Sequence, residues 1–281
     1  MFATPEAAVA ALAKAVETKD SAALRSIFGP ALADIRNPDR VQATNEFNEF
    51  AAALNATNHI VKESDTNCVV ELGEDAWPFP IPLVKSAGGW IFDTAGGKEE
   101  LLNRRIGRNE LDTLAVMRAY VDAQREYASR DRSGDGILEF AQRLSSAPGK
   151  KDGLYWSRDM DGSLSPLGPL VADAQEEGYD LGGAKGRRLA SEPFHGYYFK
   201  VLVRQGKHAP GGKYDYIINS HMIAGFALIA WPAKYGDSGI MTFMVNQQGR
   251  VYQKDLGPKT SKLAPAIKTY DPDDTWTLSP D

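Results

Sequence analysis

One uninterrupted helical pattern, from Lys98 to about Arg130, restricts the fold more than any other feature of the chain. Its apolar residues recur at helical spacing and form a broad stripe. Strand-like segments lie on both sides of it, without the strand–helix alternation of a parallel α/β protein. We therefore predict an α+β protein in two parts, residues 1–97 and residues 98–281.

The first part is predicted to begin with three short helices. Thr4-Pro5, Asp20-Ser21 and Pro38-Asp39 are typical helix starts, because Thr and Asp accept hydrogen bonds from the first amides. Short strand-like segments follow, at 59–62, 68–72, 79–85 and 90–93, with turn residues between them. Helices followed by an antiparallel sheet are similar to the cystatin-like or NTF2-like topology.

The second part is predicted to be an antiparallel meander packed along the long helix. Strand-like segments at 197–203, 214–219, 226–232, 240–246 and 251–254 are separated by glycine-rich turns. We expect the helix to bury Leu114, Met117 and Val121 against this sheet. A short second helix is predicted over 137–144.

Composition excludes some functions. The net charge of −5 argues against a nucleic-acid-binding protein, which usually carries a basic surplus. No run of about 18 apolar residues is present, so the sequence predicts no transmembrane segment. Cys68 is the only cysteine, which rules out an intramolecular disulfide. The sequence lacks a nucleophile elbow, a phosphate loop and a dinucleotide fingerprint.

An acidic loop after the long helix is the best candidate for metal binding. Asp131, Ser133, Asp135 and Glu139 alternate as the oxygen ligands of a calcium loop do, with Gly136 at the sixth position. The twelfth position is Gln142 rather than a bidentate Glu, so calcium would bind weakly. The alternative is a polar turn in which Asp135 caps the helix predicted after it.

Two histidines are candidate catalytic residues. His195 and His221 flank predicted strands, and either is a conceivable general base. The alternative is a partly exposed histidine at a strand end. No pair of histidines has the spacing of a zinc motif.

The proline-rich segment Trp77–Pro82 has two interpretations. Alternating prolines remove amide donors, so the segment suits a sheet edge that resists aggregation, with Phe79 and Ile81 packed inward. Alternatively, Trp77, Phe79 and Trp90 contribute to an aromatic surface that binds a peptide or a glycan.

Five strings spread along the chain resemble the bacterial domain-of-unknown-function family DUF2950: WPFPIPLVK (77–85), RRIGRNEL (104–111), DGLYW (152–156), GYYFKVL (196–202) and VYQKDLGP (251–258). The resemblance implies a periplasmic or secreted protein, and so a leader that has been removed from this chain. It implies no activity.

The second part also resembles the globular half of bacterial pseudopilins, through the long helix, GYYFKV (196–201), FALIAWP (226–232) and SGIMTFMVN (238–246). A folded part precedes the helix where pilins have an apolar stem, so only the fold is carried over. We expect a non-enzymatic envelope module that binds a protein, a peptide or a glycan. The alternative is a hydrolase that uses His195 or His221 in a site between the two parts.

Overall fold

The structure is a computed structural model, and it describes residues 1–156, 162–179 and 192–280. The chain forms two compact units, Met1–Arg105 and Ile106–Asp281. The division falls inside helix α4 (Thr94–Tyr127), whereas the sequence placed it at the start of that helix. Helices and antiparallel sheets make up both units, which confirms the α+β class.

The first unit begins with the predicted helices α1 (Pro5–Glu17), α2 (Ser21–Phe28) and α3 (Arg40–Ala56). A 3₁₀ helix, Pro30–Ile35, lies between α2 and α3. The three predicted caps are confirmed. Each capping side chain accepts from amides of the first turn: Thr4 for α1, Asp20 for α2 and Asp39 for α3.

The sheet of the first unit is antiparallel, in the order β1-β2-β4-β5. Its strands are β1 (Asn58–Lys62), β2 (Asn67–Leu72), β3 (Trp77–Pro78), β4 (Leu83–Ser86) and β5 (Gly89–Phe92). The short strand β3 pairs with β2 alone. Alternate residues of β2, namely Cys68, Val70 and Leu72, are buried in a core shared with the helices.

Helix α4 runs without a break through Gly107. Leu114, Met117 and Val121 are all buried, as predicted. Three polar side chains of the helix, of which Asn109 and Tyr120 are buried, also bond to backbone groups of the C-terminal sheet and of a turn beside it. Asn109 donates to the carbonyl of Ser238 at 2.9 Å, Glu110 accepts from the amide of Met241 at 2.9 Å, and Tyr120 donates to the carbonyl of Ala227 at 3.2 Å.

The main sheet of the second unit is antiparallel, in the order β14-β13-β12-β11-β6. All six residues of strand β11 (Ala227–Pro232) are buried. The strands are β6 (Tyr197–Leu202), β11 (Ala227–Pro232), β12 (Met241–Asn246), β13 (Tyr252–Asp255) and β14 (Thr277–Leu278). Shorter elements are β7 (Arg204–Gln205) with β8 (Tyr214–Asp215), β9 (Ile217–Ile218) with β10 (His221–Met222), and the helices α5 (Gly168–Glu176), Gly257–Lys259 (3₁₀) and α6 (Thr260–Ala266).

The prediction of a helix over 137–144 is wrong, because this segment has no regular secondary structure apart from an isolated β-bridge at Phe140. The side-chain amide of Gln124 donates to the carbonyl of Ala141 and accepts from its amide, both at 2.8 Å. The amide of Phe140 donates to the carbonyl of Met222 at 2.8 Å. These tertiary bonds take up the backbone groups that a helix would use. Of the helices in the described ranges, none has the length and apolar character needed to cross a membrane.

Candidate functional site

His195 lies in a tight turn that leads into β6. Phe194 and Tyr197 exchange two backbone hydrogen bonds, and His195 and Gly196 between them have φ values of 47° and 72°. Two successive residues in the left-handed region form the hairpin turn that matches strand twist. Gly196 cannot be replaced easily, since a side chain there would lie 2.9 Å from Cβ of Ser238. The turn therefore gives the imidazole of His195 a defined place.

The imidazole of His195 lies between two carboxylates. Its Nδ1 is 3.4 Å from Asp112 on α4, and its Nε2 is 3.3 Å from Glu177 at the end of α5. The rings of Phe194 and Tyr179 pack against it, with centroids at 4.1 Å and 5.4 Å. Because both ring nitrogens face carboxylates, the imidazole bridges α4 and the end of α5, and this arrangement favours a structural contact over a free general base.

His221 has a different environment. Its Nδ1 lies 3.1 Å from Glu139 and 3.8 Å from Asp135, two residues of the predicted calcium loop. Through the described ranges of the chain, no hydrogen bond or ion pair reaches its Nε2. The two candidate histidines thus contact separate carboxylates and share none.

The acidic loop is held by its own backbone. The carboxylate of Asp131 accepts from the amides of Ser133, Gly134 and Gly136 at 3.1, 2.7 and 2.8 Å. These hydrogen bonds, those from Gly136 and Gly134 above all, hold the pKa of Asp131 below its usual range. Asp135 accepts from the amide of Ile137 at 2.9 Å, although no helix follows. Among the described residues, no group of three or more His, Cys, Asp or Glu side chains is arranged to hold a metal ion.

The calcium-loop hypothesis and the alternative of a polar turn predict different responses to calcium. Because Asp131 already binds loop amides, we expect calcium up to about 10 mM, above the range of extracellular calcium modules, to leave the melting temperature unchanged. Differential scanning fluorimetry of the parent and Asp135→Asn measures it. A concentration-dependent rise in the parent that is lost in Asp135→Asn, with magnesium ineffective, would establish the site instead.

The three aromatic residues proposed for ligand binding lie in different environments. Trp77 is 41% exposed, and the guanidinium of Arg104 lies 5.2 Å from the centre of its ring. Phe79 is buried and stacks on Phe50 at 5.0 Å. Trp90 is buried in β5. Of the three, only Trp77 offers an exposed ring.

A third histidine–carboxylate pair was not predictable from the sequence. Asp271 accepts from the amide of His208 at 2.8 Å and lies 3.1 Å from its Nδ1. A side chain at Gly206 would collide with this carboxylate, so the glycine makes room for it. The two partners are 63 positions apart, and no local pattern connects them.

The two edges of the N-terminal sheet differ. At β5, the amide of Phe2 donates to the carbonyl of Trp90 at 2.8 Å, and the amide of Trp90 donates to the carbonyl of Phe2 at 2.7 Å. At the opposite edge, β1 pairs only with β2 within the described part of the chain. The sheet therefore has one edge closed by the chain's own N-terminal residues and one open edge.

The register of β1 identifies the open groups. Gly73 donates to Thr57 and Glu63 donates to Asn67, both at 3.0 Å. Hydrogen-bonded and non-hydrogen-bonded pairs alternate in an antiparallel ladder, so His59 and Val61 also bond to β2. The amides and carbonyls of Asn58, Ile60 and Lys62 therefore point away from β2, and nothing in the described ranges pairs with them.

Neither a curated protein nor a solved structure matches the chain significantly. The cystatin-like, NTF2-like and pilin-like topologies therefore stay predictions. The model of a family described as "Protein of unknown function (DUF2950)" matches residues 1–278. Because the match extends over nearly the whole sequence, the chain belongs to the DUF2950 family.

Proposed function

We propose that the protein is a non-enzymatic binding module of the bacterial envelope, and that an extended segment of a partner protein adds to strand β1. The observation that carries this proposal is the row of outward-facing backbone groups at Asn58, Ile60 and Lys62. A strand added there gains a hydrogen-bonded ladder, which supplies affinity whatever the partner's exact sequence.

The side chains of β1 suit an uncharged partner strand in which apolar and polar residues alternate. Val61 is 41% exposed on the solvent-facing side, where an apolar side chain of the partner can cover it. Ile60 faces the core side and is partly buried. The ammonium of Lys62 is paired with Asp65 at 2.7 Å, so the charge common at protected edges is already partly neutralised.

The experiment compares two substitutions at one position. Ile60→Pro removes the outward amide and blocks close approach of a strand, while the amides that bond to β2 remain. Ile60→Ala removes the same side chain but keeps the amide. Peptides are selected from a displayed library of random extended sequences on the parent protein and then measured by fluorescence polarisation. We expect Ile60→Pro to weaken their binding at least about tenfold, and Ile60→Ala to weaken it by much less.

Several outcomes would contradict the proposal. Selected peptides that bind Ile60→Pro as tightly as the parent would place the site elsewhere, and so would a failure to select any peptide. Light scattering that shows a dimer in the parent and a monomer in Ile60→Pro would make a second copy the occupant. Thermal melting of both variants checks that the sheet is intact.

The envelope location rests on what the family resemblance implies, and fractionation of the native cells tests it. One observation favours the alternative function, a hydrolase. Glu139 holds Nδ1 of His221, which leaves Nε2 for proton transfer. A hydrolytic activity of the folded protein that disappears in His221→Ala would replace the binding proposal.

A further inference from the structure

A small cavity lies in the first unit, where α2 passes into the 3₁₀ helix. Its volume is about 220 Å³. Apolar atoms form most of its wall. The first and the last of its lining residues along the chain are arginines. The lining residues are Arg25, Gly29, Pro30, Leu32, Ala33 and Arg36.

The two arginines leave positive charge at this cavity. Arg36 is exposed, and in the part of the chain that the structure describes its guanidinium has no carboxylate or carbonyl partner. Arg25 is also exposed, and it donates from Nε to the carbonyl of Ser21 in its own helix at 3.1 Å. Arginine stays charged at all ordinary pH values, so both charges are permanent.

Neighbouring contacts leave the positive charge of the two arginines without a paired carboxylate among the described residues and hold the 3₁₀ helix in place. Asp34, the acidic residue of the 3₁₀ helix, pairs with Lys98 at 3.4 Å. The buried guanidinium of Arg105 donates to the carbonyl oxygen of Ile35 at 2.6 Å. It also lies 3.5 Å from the carbonyl oxygen of Arg36. The backbone beside the cavity is therefore held by a third cation, while the side chains of Arg25 and Arg36 line the cavity and stay exposed to solvent.

We propose that this cavity binds a small carboxylate with an apolar body. The apolar part would occupy the wall of Pro30, Leu32 and Ala33, and the carboxylate would accept from one or both guanidinium groups. Arginine and carboxylate form paired, charge-assisted hydrogen bonds, and an apolar wall beside them lowers the competition from water. The volume is below the roughly 300–1,000 Å³ of pockets for drug-sized ligands, so the guest must be small.

Benzoate is a suitable probe, and benzamide is its neutral isostere. Each is titrated into the full chain carrying ¹³C-labelled Leu and Ala methyl groups. We expect benzoate to shift the methyl resonances of Leu32 and Ala33 in a saturable way in the millimolar range, and benzamide to bind about tenfold more weakly or not at all. Arg36→Gln and Arg25→Gln should each weaken benzoate binding severalfold.

Arg40→Gln is the matched control, because Arg40 is an exposed arginine of the same unit that does not line the cavity. It should leave benzoate binding unchanged. Equal binding of benzamide and benzoate would overturn the proposal, since the guanidinium groups would then have no role. An equal loss in Arg40→Gln and Arg36→Gln would also overturn it, because it would show a response to net charge alone.

Discussion

Replacing Met117 by Asp should lower the free energy of unfolding of the second unit by about 3–5 kcal/mol. The Met117 side chain is fully buried, between turns of α4 whose Leu114 and Val121 are also buried. A carboxylate introduced there loses its hydration at a position that an apolar side chain occupies in the parent. The apolar contacts of Met117 are lost as well. Urea unfolding followed by tryptophan fluorescence measures the difference.

Leu111→Asp is the control for Met117→Asp. Leu111 lies on the same helix, but it is 69% exposed. We expect this change to alter stability by no more than about 0.5 kcal/mol, as surface substitutions usually do. If Met117→Asp unfolds at the same urea concentration as the parent, α4 does not bury this face and the described packing is wrong.

Two glycines of α4 should respond to alanine with opposite signs. At Gly97, a Cβ atom would lie 2.7 Å from Cα of Ile81 and would also collide with the carbonyl of Pro80. Both obstacles are backbone atoms, so they cannot move aside cheaply. We expect Gly97→Ala to destabilise the first unit by about 1–3 kcal/mol, the usual cost of overpacking.

At Gly107, by contrast, a Cβ atom would meet nothing within 4 Å. Gly107→Ala should therefore stabilise α4 by about 0.5–1 kcal/mol through helix propensity alone. Thermal melting of the two variants beside the parent tests both signs. A stabilising Gly97→Ala would show that the proline-rich segment does not approach the helix as described.

Local patterns in the sequence predicted much of the fold. The apolar stripe of α4 identified Leu114, Met117 and Val121 as buried, and the caps at Thr4, Asp20 and Asp39 predicted three helix starts. These signals depend on residues within a few positions of one another, so a single sequence contains them.

Distant contacts were not predictable in the same way. The segment 137–144 has a helical appearance, but Gln124 binds the backbone of Ala141 and removes that option. His221 and Glu139 are 82 positions apart, and the sequence assigned them to separate hypotheses. The open groups of β1 follow from its register with β2, which composition does not reveal.

The polar contacts of α4 have a consequence during synthesis of the chain. Asn109, Glu110 and Tyr120 precede their backbone partners by 129, 131 and 107 positions. At about 5–20 residues per second, a ribosome needs roughly 5–25 s to make that stretch. Throughout that delay the apolar stripe of α4 has no sheet to cover it, and exposed apolar surface of this kind makes an incomplete chain prone to aggregation.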